Sequence, residues 1–150
     1  MKVTAKRMRT ILNLYPPYLG AGIHVDNITE DWRQIDVSMQ LRWYNRNVVR
    51  THFGGSLYSM VDPHLMLMLM QLLGEKYIVW DKSAEIDFIR PGKGKVFATL
   101  KISDEDLKNI YDGVERRGKF LPKFEVKIVD KVGKTVCRII KTLYIRKKRE

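Results

Sequence analysis

Residues 51–74, THFGGSLYSMVDPHLMLMLMQLLG, constrain the fold more than any other stretch of the chain. After a glycine pair, Leu57, Met60, Val61 and the alternating Leu and Met of residues 65–70 put apolar side chains on every side of a helix. A helix that is hydrophobic all round is normally buried all round. Roughly 20 residues could also span a bilayer, but Asp62, Pro63 and His64 interrupt the first half. The remaining chain is rich in charge and in alternating strands, so the pattern predicts one central helix, about Gly55 to Leu73, enclosed by a sheet. Asp62 is then a carboxylate in an oily rod, and a buried charge needs a reason.

Met8, Ile11, Leu12 and Tyr15 have the spacing of an amphipathic helix, which Pro16 and Pro17 are expected to end. A strand begins at Ile23 and Val25, its alternation slipping at Asn27 in the manner of a bulge. Ile35, Val37, Met39, Leu41 and Trp43 keep a clean two-residue period. Further strands are expected at Tyr77–Val79, Ala84–Ile89 and Val96–Ile102, the last two joined as a hairpin through Pro91-Gly92-Lys93-Gly94. A short helix runs from Ser103 to Gly113, and two strands follow at Phe120–Asp130 and Thr135–Arg146. The expected class is α+β, a long central helix wrapped by a curved antiparallel sheet of five to six strands, in one domain over residues 1–150. Such a sheet leaves edges, so a homo-oligomer is expected.

The single Cys137 excludes an internal disulfide and fits a reducing compartment; with no signal-peptide pattern, a cytoplasmic location is expected. Net charge is +11, clustered at Lys2, Lys6, Arg7 and Arg9 and again at Arg146 to Arg149. This favours an anionic partner such as a nucleotide, a CoA ester or an acidic membrane surface, or it serves solubility. No nucleic-acid-binding signature is present. His24 and His64 lack the companions of a zinc pattern, so no metal site is expected.

Around a continuous helix, Gly55, Ser59, Asp62 and Met66 fall on one side as a small, polar and acidic strip. The glycines admit close approach to the backbone, and a helix start there offers unpaired N–H groups that can hold an oxyanion. Asp62, about two turns on, could deprotonate a water or attack directly. The residues equally allow Asp62 to be hydrogen-bonded structure at an irregularity made by Pro63. Met60 and Met66 are candidates for an acyl channel, or plain core.

The Gly-Gly-(six residues)-Asp pattern and the order of elements resemble the hotdog-fold acyl-CoA thioesterases, in particular the phenylacetate-pathway and human mitochondrial-associated type. Those enzymes carry an Asn seven residues before the first Gly and an Asp eight residues after it, positions occupied here by Asn47, Gly54 and Asp62. The stretches NRNVVRTHFGGSLYSMVDP, YIVWDKS and FIRPGKG also resemble a bacterial subfamily, first catalogued as an uncharacterised domain and later labelled tetrameric acyl-CoA thioesterase. The resemblance runs from about Leu12 to Arg146 and implies hydrolysis of an acyl-CoA to free acid and CoA, with no cofactor, in a homodimer or homotetramer without membrane insertion. It further implies Gly54 and Gly55 as oxyanion donors, Asp62 as base or nucleophile, and Asn47 as the residue that positions water. His52, Ser59 and Ser83 are possible helpers, and Arg90, Lys93 and Lys95 could hold CoA phosphates. The chain departs from the pattern at Phe53, where the relatives carry His. That departure keeps two alternatives in play, a non-catalytic acyl-CoA-binding hotdog protein and a hotdog hydratase or dehydratase resting on His52.

Overall fold

The computed structural model describes residues 3–149, so Lys2 lies outside the described residues. Thr4 caps helix α1 (Ala5–Leu14) by accepting from the Arg7 N–H, and Ala5, Met8 and Leu12 turn inward. Helix α1 stops at Leu14, ahead of Pro16 and Pro17 as expected, but the prolines do more than end it. They open a second short helix, α2 (Pro16–Ala21), because proline in a first turn has no intrahelical N–H to lose. Strands β1 (Ile23–Ile28) and β2 (Gln34–Gln40) pair antiparallel, and the register shifts between Val25 and Asn27, where the alternation slips. Strand β2 ends at Gln40, short of the Trp43 expected from the period alone.

The central segment is two helices, α3 (Gly54–Ser59) and α4 (His64–Leu73), separated by a turn at residues 60–63. Pro63 lacks the N–H that a continuous helix would bond back to Ser59, and the chain breaks just before it. Helix α4 is not buried all round either: Leu65, Met68 and Leu69 have no exposure, whereas Met70 is 44% exposed and Met66 and Leu67 are half-buried. One chain's sheet covers only one side of it.

Strand β3 (Tyr77–Phe88) unites the two short strands expected there, with a register shift between Asp81 and Ser83. Next come β4 (Lys95–Lys101), α5 (Asp104–Arg117), β5 (Lys119–Phe120), β6 (Lys123–Val129) and β7 (Thr135–Lys147). A capping box between Ser103 and Asp106 starts α5, which runs past Gly113 and stops at Gly118 in the left-handed region. Gly113 is tolerated because the Phe120 ring lies where a side chain would be.

The seven strands form one antiparallel sheet in the order β1-β2-β4-β6-β7-β3, with β5 added on β7, more than the five to six expected. Strands β3 and β4 are therefore not a hairpin. The intervening PGKG turn is a crossover from the sheet edge to its interior; proline and glycine mark a change of direction without specifying which strands pair. Ile35, Leu100, Ile128, Ile139 and Leu143 join α3 and α4 in one core, each side chain contributing roughly 1.5–3 kcal/mol. Cys137 is fully buried in it, and burial pushes its thiol up to about 11. No helix among the described residues is long and apolar enough to cross a membrane.

Candidate active site

The break in the central helix builds the site. Asp62 sits in the turn, its N–H bonded to the Tyr58 carbonyl at 3.0 Å and its side chain about half open to solvent. Beneath it lies Lys141, only 1% exposed. Its Nζ donates to Asp62 Oδ1 at 2.8 Å, to the Asp62 carbonyl at 2.7 Å and to the Tyr58 hydroxyl at 3.1 Å, and stands 3.2 Å from Asp81 Oδ1. Three ammonium protons thus meet four oxygens, which is what a buried cation requires. One of those oxygens, the Asp62 carbonyl, is available because the helix stops there.

Burial works to raise the Asp62 carboxyl, but hydrogen bonds from Lys141 and Tyr58 together with the lysine's charge outweigh it, holding the group below the usual carboxylate range. Asp81, in the same cluster, goes the other way. Burial raises it, and the pull of Lys141 only partly compensates. Burial likewise disfavours the Lys141 cation, yet bonds to Asp62 and Tyr58 raise it above the ordinary lysine value.

Ahead of Asp62, Phe53 N-caps α3 without a side-chain bond, and its carbonyl accepts from the Ser56 and Leu57 N–H groups at 3.0 and 3.1 Å. The Gly54 and Gly55 N–H groups are in the first turn, where a helix supplies no partner. A side chain on either glycine would press on an aromatic neighbour. A Cβ on Gly54 would lie 3.0 Å from the Phe88 ring, and one on Gly55 would lie 2.7 Å from the Phe53 ring. Phe53, standing where the resembling enzymes have His, therefore folds over the helix start and remains 57% exposed.

The other expected residues divide into those near this centre and those away from it. Asn47 braces its own loop: its amide donates to Thr51 Oγ1 at 2.9 Å and the His52 carbonyl at 3.4 Å, and its oxygen accepts from the Val49 and Thr51 N–H groups. His52 is buried, with Nε2 2.7 Å from the Gly94 carbonyl and its own N–H on the Gly92 carbonyl at 3.0 Å. Burial lowers its ring below the usual histidine value. These bonds pin the Arg90–Lys95 crossover against the loop leading into α3. Arg90 and Lys93 are exposed, while Lys95 rests 5.5 Å from the Phe97 ring centre.

The Ser59 hydroxyl bonds back to the Gly55 carbonyl at 2.9 Å. Ser83 pairs with Thr142, the neighbour of Lys141 in β7, so its side chain lies on the opposite sheet face from the lysine. Met60 is fully buried core, and Met66 is half-buried on α4. His64 is also fully buried, with Nε2 2.8 Å from the Tyr18 hydroxyl.

Lys141, Tyr58 and Asp81 are the members that sequence reasoning missed. Lys141 had a readable signal: it is in phase with Cys137, Ile139, Leu143 and Ile145, all buried on β7, so a charge in that series must have a buried partner. Asp81 had none, because the register shift that follows it hides its face.

Two hollows of about 500 and 480 Å³ are elsewhere: one between α1 and β1, the other at Ile78, Trp80, Tyr144 and Arg146, reaching the cluster only at Asp81. A smaller one of about 130 Å³ lies beside the start of α3, lined by Tyr44, Arg46, Phe53 and Ser56. Chemistry weighs more than size here. The Asp62 carboxylate is half open, Gly54 is half-buried and Gly55 is exposed at the surface of a single chain. Among the described residues, no group of three His, Cys, Asp or Glu side chains could hold a metal ion.

Among solved structures, the chain is similar to a Pseudomonas aeruginosa protein, PA5026, described as of unknown function and a probable thioesterase, at 16% identity and a TM-score of 0.83 over 99% of both chains. It is similar to the Haemophilus influenzae thioesterase HI1161 at 17% identity and a TM-score of 0.69, covering 100% of this chain and 95% of that one. A Chlorobaculum tepidum protein of unknown function matches at 20% identity and a TM-score of 0.73, over 97% and 98% of the two chains. At these identities the likeness shows the fold, which is the hotdog fold. No curated protein matches the chain. A family model described as "Domain of unknown function (DUF4442)" matches residues 4–145, and the chain belongs to that family.

Proposed function

We propose that the protein is a thioester hydrolase acting on an acyl-CoA. The observation that carries this reading is an ionised, half-open carboxylate, Asp62, held on the turn that follows a short helix opening with Gly54 and Gly55. The thioester carbonyl oxygen would sit at the Gly54 and Gly55 N–H groups, which stabilise the negative charge that develops when its carbon is attacked. Asp62 either removes a proton from the attacking water or attacks first, giving an anhydride that water opens. The carbon–sulfur bond breaks, the CoA thiolate leaves, and the acid is released. A thiolate needs little help in leaving, because its conjugate acid is far more acidic than an alcohol.

Asn47 serves by fixing the loop that delivers Gly54, and the Arg90–Lys95 crossover beside that loop is placed to meet the CoA phosphates. A second copy covers this open side. Strand β3 is the long outer strand at the end of the sheet, with Trp80 and Phe88 64% and 60% exposed, and a long unpaired edge carrying exposed aromatic rings calls for a partner. Met66 and Met70, half-buried and exposed on α4, are available to line an acyl path once that partner is present.

The second reading, a non-catalytic acyl-CoA binder, is favoured by the close ion pair, since a carboxylate compensated by Lys141 is a weaker base. The hydratase reading loses its residue: His52 bonds the Gly94 carbonyl and His64 bonds Tyr18, so neither is paired with Asp62. Thiol release from a panel of acyl-CoAs of different chain length decides the matter. Turnover supports hydrolysis, and saturable binding without thiol release sinks it in favour of the binder.

A further inference from the structure

Lysine is a poor choice for its position if stability is the only demand. Residue 141 lies in the middle of β7 between Ile139 and Leu143, and an apolar side chain there would extend the core without desolvating a charge. The lysine's contacts are also unusually directed. Two of its four oxygens belong to Asp62, one from the main chain and one from the side chain, and a third is the hydroxyl of Tyr58, one turn before Asp62. The Tyr58 ring lies 5.2 Å below the ammonium and closes the apolar side.

We infer that Lys141 is a positioning residue for Asp62: its buried ammonium clamps one carboxylate oxygen and the main-chain carbonyl, fixing the side chain so that its open half faces the substrate. This rests on the hydrolase reading for its consequence in turnover, but the clamp itself does not. Asp81 completes the device from β3. With both carboxylates on one ammonium, their near oxygens are at most about 6 Å apart, and the charge on Asp62 disfavours that on Asp81. Tyr58 on α3, Asp81 on β3 and Lys141 on β7 face Asp62, with His64 at the start of α4 and Tyr18 on α2 behind it. Tyr18 and His64 bond each other, which leaves Lys141 as the cation that sets the carboxylate's geometry and charge.

The test follows the Asp62 carboxyl by carbon NMR, its signal assigned by loss in Asp62→Asn, through a pH titration of the full chain, beside steady-state hydrolysis of an acyl-CoA. Lys141→Met should move the Asp62 titration upward, carry the acid limb of the turnover profile with it, and cut turnover by about tenfold to a hundredfold with KM changed less than severalfold. Asp62→Asn, which keeps the lysine and removes one of the two charges it holds, should move the Asp81 titration, its signal assigned by loss in Asp81→Asn, downward. An Asp81 titration unmoved in Asp62→Asn overturns the shared clamp. A Lys141→Met protein that loses only melting temperature, with titration, pH profile and turnover unchanged, overturns the positioning role. Should the wild type release no thiol from any thioester, the hydrolase reading falls, while the two titrations still uphold or overturn the clamp.

Discussion

His64 makes the fold acid-sensitive in a way that can be calculated. The ring has no exposure, and its Nδ1 is buried without a hydrogen-bond partner. Tyr18 has one hydroxyl proton, which it donates to the Ser59 carbonyl at 2.8 Å, so the His64 Nε2 at 2.8 Å must carry a hydrogen and donate it to Tyr18. A second proton on this ring would be a charge placed in the core. Burial, aided by nearby Lys141 and opposed by Asp62, lowers the ring from 6.5 to about 3. The folded chain thus keeps the ring neutral where the unfolded chain protonates it. Stability from this group is intact above the free-imidazole value and is lost as pH falls from there towards about 3. Between about pH 7 and about pH 4.5 the loss is roughly 2.5 kcal/mol, set almost wholly by the unfolded ring as long as the folded one stays neutral. His52, also lowered by burial, adds in the same direction. Urea unfolding of the wild type across that range, against His64→Gln, isolates the first contribution: the variant should lose about 2.5 kcal/mol less stability than the wild type on acidification. Equal pH dependence in the two proteins would refute the claim that the fold holds His64 neutral.

Four further outcomes are expected. Asp62→Asn should lower turnover by at least about a hundredfold with substrate binding within severalfold; unchanged turnover on a good substrate removes Asp62 from the chemistry. In the wild type, the depressed Asp62 carboxyl should leave turnover without an acid limb attributable to that residue near neutrality, and a carboxylate-type limb at neutral pH that vanishes in Asp62→Asn would contradict the ion pair. Asn47→Ala, which deletes the brace of the loop before Gly54, should lower both melting temperature and turnover, measured on one preparation; a lower melting temperature with full turnover would confine Asn47 to stability. Charge reversal at Arg90 and Lys93 should raise KM for acyl-CoA severalfold, less at high salt, and leave a short thioester lacking the nucleotide unaffected. Equal losses on both substrates would make the crossover structural.

The fold was legible wherever one physical rule acted alone. The two-residue period of Ile35, Val37 and Met39 became β2, the slip at Asn27 became a register shift, and Ser103 capped a helix. Misreadings arose where two rules competed. Pro16 and Pro17 stop one helix and also start the next, and a rule for stopping alone misses α2. Pro63 implies an irregularity in one helix, but the same missing N–H divides it in two when the Tyr18 hydroxyl is ready to take the Ser59 carbonyl left over. The pairing of β3 with β7 is invisible in the text because a crossover and a hairpin use the same turn residues.

The site was legible to the same degree. Its Gly-Gly and Asp are a local pattern, readable along one helix, whereas Lys141 comes from a strand 79 positions away and enters only through tertiary structure. Yet Lys141 did leave a mark, a lone charge in phase with four buried apolar residues on β7. A carboxylate on an oily helix and a cation on an oily strand are each unfavourable alone. Together they satisfy each other, so either one in a sequence is grounds to search the chain for its counterpart.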